Sequence, residues 1–563
     1  MSIETGLSPA DFPTSLDYPA VPVGSILRAA AHRYGDRVGF TQGTEELTFT
    51  QLYRRACRFA NALRTAGIQP GDRIAVHLPN SLAYPVAYFG IQLACATFCP
   101  TNPLLPPDDL AAQLADCGAV LVITSGRSLP TVLGVQDRTD VRTIVVVAPD
   151  TDGPFVEFEA FHADQPDTDP KPTVDVQTAL AHIAYTGGTT GRSKGVCLTH
   201  RNVIVNTLQS AARGSGSLPT LDVNGDVTLD QIGDPAEWTV PLGTATAIIL
   251  TPWFHAMGVI GGLTLTVMSG SSLVIHERLD PARYLADAER LRVTTISGAP
   301  ALFAVLMAHP DFATRDLSSV RAISSGAAPM SHEMVNALRV RFNGIPIVEG
   351  YGMTELTMGA ITGPAYRSGL RKVGSVGIPS PDTSVKVVAL SGSSEDPLPA
   401  NTEGEICVRG PQVMAGYYQR PEETAATIVD GWLHTGDIGL LDDDGYLYIV
   451  DRKKDMLLYK GYNVYPRELE EILFAQPGVR TAAVVGRPRD DIGELPVAFV
   501  VPIPGAELDA EQLIATVNAK VLPYKKIREL HFVDEIPVSN AGKVLKRELR
   551  NRLADFAPPD RSL

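Results

Sequence analysis

Several absences narrow the field before any motif is read. The 563 residues hold six cysteines (Cys57, Cys95, Cys99, Cys117, Cys197 and Cys407), with no C-x-x-C pair and no histidines clustered at metal spacing. That argues against a disulfide framework and for a reduced, cytoplasmic protein. A basic surplus is missing as well. The net charge is −15, and because a polyanion needs a basic surface, nucleic acid is not expected as a partner. The apolar stretch from Gly258 to Ile275 is broken by Gly and Ser. It reads as a buried helix followed by a strand rather than as a transmembrane segment. Glu4 and Asp11 stand where a basic leader would be, so no signal peptide is expected.

What is present points to a large α/β protein. The chain is too long for one ordinary core. Leu52, Ala56, Phe59 and Leu63 repeat at helical spacing after Thr48, and Gly67 follows. Strands are expected at 73–78, 119–124 and 142–147, alternating with helical stretches, and this rhythm implies parallel sheets. A second α/β rhythm runs from Ser272 to Glu349, with strands near 272–275, 294–297, 322–324 and 345–348. Short β segments and Gly-rich turns fill 374–449. The five charges Asp451-Arg452-Lys453-Lys454-Asp455 read as an exposed connection. From Asp451 onward, 18 Lys and Arg stand against 17 Asp and Glu, so the acidic excess lies upstream.

The chemistry concentrates in a few runs. Tyr185-Thr186-Gly187-Gly188-Thr189-Thr190-Gly191-Arg192-Ser193-Lys194-Gly195 follows an apolar strand. Its glycines let backbone N–H groups turn inward around an anion, while Lys194 and the threonine hydroxyls add charge and donors. It is neither a Walker A sequence nor G-x-G-x-x-G. Downstream, Gly350-Tyr351-Gly352-Met353-Thr354-Glu355 offers a flat aromatic face for a base, a hydroxyl for phosphate and a hard oxygen for Mg2+. Standing alone, that run would read as a β-turn with a packed tyrosine.

The first run resembles the phosphate loop of the adenylate-forming superfamily, which includes acyl-CoA synthetases, peptide-synthetase adenylation domains and beetle luciferases. The family most often has Ser where this chain has Gly187, and the Gly form is similar to fatty-acyl-CoA synthetases. The other motifs follow in the family's order, so the resemblance covers nearly the whole chain. It implies an α/β fold with a large N-terminal domain (1–450) of two parallel-type sheets and a small β subdomain (about 374–449). A hinge at 451–455 and a small, mobile α+β C-terminal domain (456–563) would complete it.

By the same resemblance, Gly326, Ala327 and Ala328 lie on the far side of adenine from Tyr351. Asp437, in Gly431-Trp432-Leu433-His434-Thr435-Gly436-Asp437, would hold the ribose hydroxyls with help from Arg452. Lys543, in Ser539-Asn540-Ala541-Gly542-Lys543, falls where the family keeps its catalytic lysine, and Gly461 where the pantetheine arm would pass. His255, in Trp253-Phe254-His255-Ala256-Met257-Gly258, is expected as a wall or gate of the acyl pocket, with no acid–base role. No acidic residue occurs in 251–258 to pair a substrate ammonium, so an α-amino acid is not the expected substrate.

The expected activity is therefore an AMP-forming acid–thiol ligase. ATP with Mg2+ would activate a carboxylic acid, a medium- or long-chain fatty acid first, as acyl-AMP for transfer to CoA. Handing the acyl group to an acyl carrier protein, or taking an aryl carboxylate, are the alternatives; a luciferase-type oxygenase and a binding protein without catalysis are disfavoured. A long-chain substrate would imply peripheral association with a membrane; the oligomeric state is open. One departure from the family is the length between Arg201 and His255. There Gly214-Ser215-Gly216-Ser217 and Asp222, Asp226, Asp230 and Asp234 read as a solvated surface insertion, or else a substrate lid.

Overall fold

A computed structural model describes residues 12–186, 193–390, 395–489, 492–538 and 544–556. The chain forms two compact units. The larger comprises the chain up to Ser384 together with Arg409–Leu433; the smaller comprises Val385–Val408 and the chain from His434 onward, so residues 451–455 fall within it. Among the described residues, no helix is long and apolar enough to cross a membrane.

The larger unit is built on two sheets. In the first, Leu180–Thr186, Thr97–Pro100, Arg73–His77, Leu121–Ser125, Thr143–Val147 and Val156–Glu157 lie side by side in parallel. Lys194–Thr199 pairs antiparallel with Leu180–Thr186 as its hairpin partner, and the short strand Gly416–Tyr417 lies beyond it at the edge. In the second, Ile347–Tyr351, Ala322–Ser325, Thr295–Gly298, Thr246–Ile249, Ser272–Ile275 and Val38–Gln42 run in parallel. Strands buried on both faces need apolar residues at successive positions, and Ile74 to Val76 and Leu121 to Ile123 supply them with no exposure.

The first long helix, Phe49–Thr65, begins where the Thr48 hydroxyl accepts from Gln51 N and the Gln51 side chain accepts from Thr48 N. This reciprocal cap satisfies two otherwise orphaned donors. Its stripe of Leu52, Ala56, Phe59 and Leu63 is fully buried, each large side chain contributing about 1.5–3 kcal/mol. Against it packs Ala83–Leu93. Gly90 allows the approach, because a Cβ there would stand 2.7 Å from the Phe59 ring.

The apolar stretch from residue 257 forms a wide helical turn of π type, Met257–Thr264, that tightens into the α-helix Leu265–Ser269. The strand Ser272–Ile275 follows. Segments of π-helix often accompany functional sites.

The stretch from 214 to 238 departs from expectation. It is solvated only in part, with residues 223–225 and 234–236 exposed. Ser217–Leu221 and Val227–Gln231 pair as a hairpin, and Val227, Leu229 and Trp238 are buried. Gly216 and Gly233 lie flat against the Trp238 ring, where a Cβ would overlap it. Asp226, buried, accepts from Arg28 Nε at 2.7 Å and from the Ser25 hydroxyl at 3.0 Å. Of the four acidic residues that suggested solvent, Asp230 and Asp234 are exposed, while Asp226 is a buried partner for a distant cation.

In the smaller unit, Tyr462–Val464, Leu457–Tyr459, Gly493–Pro502 and Val479–Arg489 form a sheet in that order, and Glu529–Phe532 joins Gly493–Pro502 in parallel. Strand alternation divides its core. Val484, Ala498 and Val500 meet Leu469, Leu473, Leu513 and Val517 on one face. On the other, Val485, Val497 and Phe499 meet Leu549 and Leu553. The charged run 451–455 is only partly exposed. Asp451 is buried, its carboxylate accepting from Arg452 N at 2.7 Å and Arg467 N at 3.0 Å, and Asp455 pairs with Arg550 at 3.1 Å. Partners within the unit make that burial affordable.

Candidate active site

The phosphate-loop candidate hangs from a hairpin. Leu180–Thr186 and Lys194–Thr199 pair antiparallel, with Thr186 opposite Lys194 and Tyr185 opposite Gly195. Gly187, Gly188, Thr189, Thr190 and Gly191 lie outside the described residues. The strand ends on either side are firmly set. The Ser193 hydroxyl donates to the Thr186 carbonyl, and the Tyr185 hydroxyl donates to Asp116 at 2.6 Å. The Lys194 ammonium forms an ion pair with Glu423 and sits 4.8 Å from the centroid of the Tyr417 ring.

The second group gathers at the carboxyl ends of the parallel strands, where open α/β sheets bind ligands. Register aligns these ends, Gly298 facing Ser325 and Ser325 facing Glu349. Gly326 follows Ser325, and its N–H donates to the Gly298 carbonyl at 3.3 Å. A Cβ on Gly326 would stand 3.4 Å from Met257 Sδ and 3.9 Å from the Gly350 carbonyl. The 326–328 turn, the 350–352 motif and the 253–258 segment therefore come together. Ala327 holds a left-handed backbone, φ +68°. That conformation costs an L-residue about 1–2 kcal/mol, and such strain clusters at functional sites. Ala327 and Ala328 are exposed, while Tyr351 is half-buried. The Glu349 carboxylate is committed to Met330 N at 2.9 Å.

Gly352 has no room for a side chain, since a Cβ would overlap the Met358 carbonyl oxygen. Past it, Thr354–Leu356 makes a single 3-10 turn that presents Thr354 and Glu355. Thr357 then takes φ +66°, rare for a β-branched residue, and is held by its hydroxyl donating to the Gln412 carbonyl at 2.7 Å. Glu355 accepts from the Tyr417 hydroxyl on Oε1 at 3.0 Å. That leaves Oε2 without a partner among the described residues, as a hard oxygen suited to Mg2+. Burial, and next the nearby Glu355 charge, raise the Tyr417 phenol well above its ordinary range.

His255 lies on a segment clamped by Asn80, whose side chain donates to the Thr251 carbonyl at 3.0 Å and accepts from Trp253 N at 2.8 Å. Trp253 is fully buried, and the half-buried His255 ring stands 4.7 Å from that of Phe254.

The remaining candidates belong to the smaller unit. Asp437 faces Arg452 across paired strands, its Oδ1 lying 3.7 Å from Arg452 Nε. Asp437 N donates to the Thr435 hydroxyl at 3.1 Å, which itself donates to the Ile406 carbonyl at 2.8 Å. Gly461 and Lys460 form the two-residue turn between Leu457–Tyr459 and Tyr462–Val464, with φ +82° and +51°. That is the geometry of a tight hairpin favouring glycine. Lys543 lies outside the described residues.

Two functional candidates escape sequence reading, Tyr417 and Glu423. Gly416-Tyr417 before Pro421-Glu422-Glu423 reads as a strand end leading to a helix start. Nothing local to it names Lys194 or Glu355 as partners.

Residues 27–418 match the family described as AMP-binding enzyme, and residues 468–543 match the AMP-binding enzyme C-terminal domain. The chain belongs to the AMP-binding enzyme family, and its class is that of the AMP-forming acyl-CoA synthetases, enzymes that use ATP, Mg2+ and CoA. It is 36% identical to a feruloyl-CoA synthase of Amycolatopsis sp, over 91% of this chain and 94% of that one. It is 33% identical to the long-chain-fatty-acid–CoA ligase of Bacillus subtilis, over 96% of each. Among solved structures, the anthranilate CoA ligase AuaEII in complex with anthranoyl-AMP superposes with a TM-score of 0.84 at 25% identity, covering 98% of this chain and 100% of that one. The two-sheet α/β fold with a smaller α+β C-terminal part agrees with these neighbours.

Proposed function

We propose that the protein joins an apolar carboxylic acid to CoA through an acyl-AMP, with the nucleotide seated at the aligned carboxyl ends of the second sheet. The observation that carries this reading is the meeting of Gly326, Met257 and Gly350. It brings the turn expected on one side of adenine, the Tyr351 motif expected on the other, and the expected acyl-pocket segment to one place. Thr186, Lys194 and Thr354 would hold phosphate oxygens, and Glu355 would hold Mg2+, which supplies charge neutralisation when bound. Asp437 would take the ribose hydroxyls, with Arg452 beside it.

Lys543 would meet the carboxylate and the α-phosphate as negative charge shifts between them, an electrostatic role that works best with water excluded. A carboxylate is a poor acyl donor and AMP a good leaving group, so activation must precede thiol attack. The two half-reactions need different groups at one carbon. A turn of the C-terminal part (456–563) about 451–455 would exchange Lys543 for the Gly461 turn.

The substrate is proposed as a medium- or long-chain fatty acid. Support comes from the adaptable apolar side chains beside the site: Met257, whose Sδ is 3.4 Å from where a Gly326 Cβ would stand, and Met358, whose methyl is 3.6 Å from where a Gly261 Cβ would stand. A second reading, a hydroxycinnamic or other aryl carboxylate, is favoured by the 36% identity to a feruloyl-CoA synthase. Transfer to a carrier protein finds no support among relatives that are CoA ligases. A panel of fatty, hydroxycinnamic and benzoic acids, each tested for pyrophosphate release and for CoA thioester by mass spectrometry, decides. Thioesters formed from C8–C18 acids support the first reading, and thioesters confined to aryl acids replace it with the second. Pyrophosphate without any thioester overturns the CoA assignment.

A further inference from the structure

The segment carrying Tyr417 lies outside the motifs that define the nucleotide site, yet three hydrogen bonds lace it to them. Met414 N donates to the Glu355 carbonyl at 2.9 Å, Thr357 Oγ1 to the Gln412 carbonyl at 2.7 Å, and Tyr417 Oη to Glu355 Oε1 at 3.0 Å. Both the backbone and the carboxylate of Glu355 are thus anchored on residues 414–417. The Tyr417 ring meanwhile lies under Lys194, whose Nζ is 4.8 Å from its centroid. A cation over a ring face is held there by the ring quadrupole.

Tyr417 is itself fixed. Its N–H donates to Thr424 Oγ1 at 2.9 Å, and Gly416–Tyr417 pairs antiparallel with the Lys194–Thr199 strand, Tyr417 opposite Val196. One side chain therefore spans the phosphate-loop cation and the acidic residue of the 350–355 motif.

Resting on the assignments of Lys194 and Glu355 made above, we propose that Tyr417 is a positioning residue of the adenylation step, its hydroxyl orienting Glu355 and its ring fixing Lys194. With Oε1 occupied by a neutral donor, the Glu355 carboxylate cannot rotate freely and presents Oε2. Glu423, on the helix Pro421–Thr427, holds the Lys194 ammonium from another side. An arriving phosphate exchanges with that carboxylate while the ring contact persists.

Tyr417→Phe and Tyr417→Leu separate the two contacts, the first removing only the hydroxyl. Carboxylate-dependent pyrophosphate release is measured with Mg2+ titrated at saturating ATP and with ATP titrated at saturating Mg2+, beside Glu355→Gln. For Tyr417→Phe the Mg2+ needed for half-maximal rate rises about tenfold, as expected when a hydrogen bond to a charged group is lost, while KM for ATP changes less than about twofold. For Tyr417→Leu both rise, and the phenylalanine variant alone suffices if the leucine variant does not fold. A wild-type Mg2+ requirement in Tyr417→Phe beside a shifted one in Glu355→Gln overturns the role of Tyr417 and leaves the site reading standing. A wild-type requirement in Glu355→Gln overturns the metal assignment and this proposal with it.

Discussion

Gly352 and Gly461 occupy the two compact units and are glycine for different reasons. Gly352 has no positive φ, but a side chain there would overlap the Met358 carbonyl oxygen. Gly461 has open space within 4 Å of where a Cβ would be, but its φ of +82° lies in the left-handed region. The first is demanded by tertiary packing, the second by its own turn. The same contrast runs through the candidate site. In the larger unit, Glu355 depends on Tyr417, 62 residues away. In the smaller, Asp437 and Arg452 are neighbours across one hairpin. Long-range lacing makes a rigid locus, and local pairing makes one that forms with its own hairpin.

Four measurements test how far the protein depends on such contacts. The largest expected effect belongs to neither glycine. Lys543→Ala slows carboxylate-dependent pyrophosphate release by about 10²–10³-fold, the range for losing one preorganised electrostatic contact. Thioester formation from added acyl-AMP stays within severalfold of wild type, and a full-rate first half-reaction in rapid-quench assays rules out the role given to this lysine.

Gly352→Ala comes next. Overpacking against a backbone carbonyl costs about 1–3 kcal/mol, so a lower melting temperature and a rate at least about tenfold down are expected together. Gly461→Ala costs about 1–2 kcal/mol from the left-handed backbone alone. It lowers the melting temperature without the rate of the first half-reaction following. Equal losses of that rate in both variants would mean that the two glycines do not differ in role.

The smallest effect is pH dependence. His200 is fully buried, its Nδ1 accepting from Val23 N at 3.2 Å, and burial lowers it from 6.5 to about 4. His77 is likewise lowered to about 4 and His182 to about 3, both by burial. Depressed folded-state values mean that the unfolded chain takes up protons first, so stability is full above about pH 6.5 and drains as pH falls toward 4. Each such histidine contributes about 2 kcal/mol of loss by pH 5, at 1.36 kcal/mol per unit. Calorimetry at pH 7.5 and 5 should show that decline, and His200→Asn should make it shallower.

The fold was largely legible because its elements carry local signals. The strand Ser272–Ile275 falls where the apolar run between Gly and Glu puts it, and the helix after Thr48 buries the four residues that repeat at helical spacing. The hairpin at 217–231 was not legible. Asp and Gly there carry the composition of a solvated loop, yet Asp226 finds Arg28, 198 residues earlier in the chain. Tyr417 was missed for the same reason. A side chain whose meaning lies in a partner far along the sequence leaves no periodicity, cap or turn to read. Asp451 repeats the error made for Asp226, since five charges in a row suggest solvent until a helix N-terminus supplies a donor for one of them.

Arg28 binds two carboxylates at once, Asp226 through Nε and Asp169 through Nη1, each at 2.7 Å. Asp226 comes from the hairpin insertion and Asp169 from the connection that precedes the strand Leu180–Thr186. A shortened variant lacking residues 217–231 would strand Asp169 with a guanidinium that has lost its second acid, and would uncover Trp238. Such a deletion should fail at the helix Gly24–Tyr34 that carries Arg28, far in sequence from the cut.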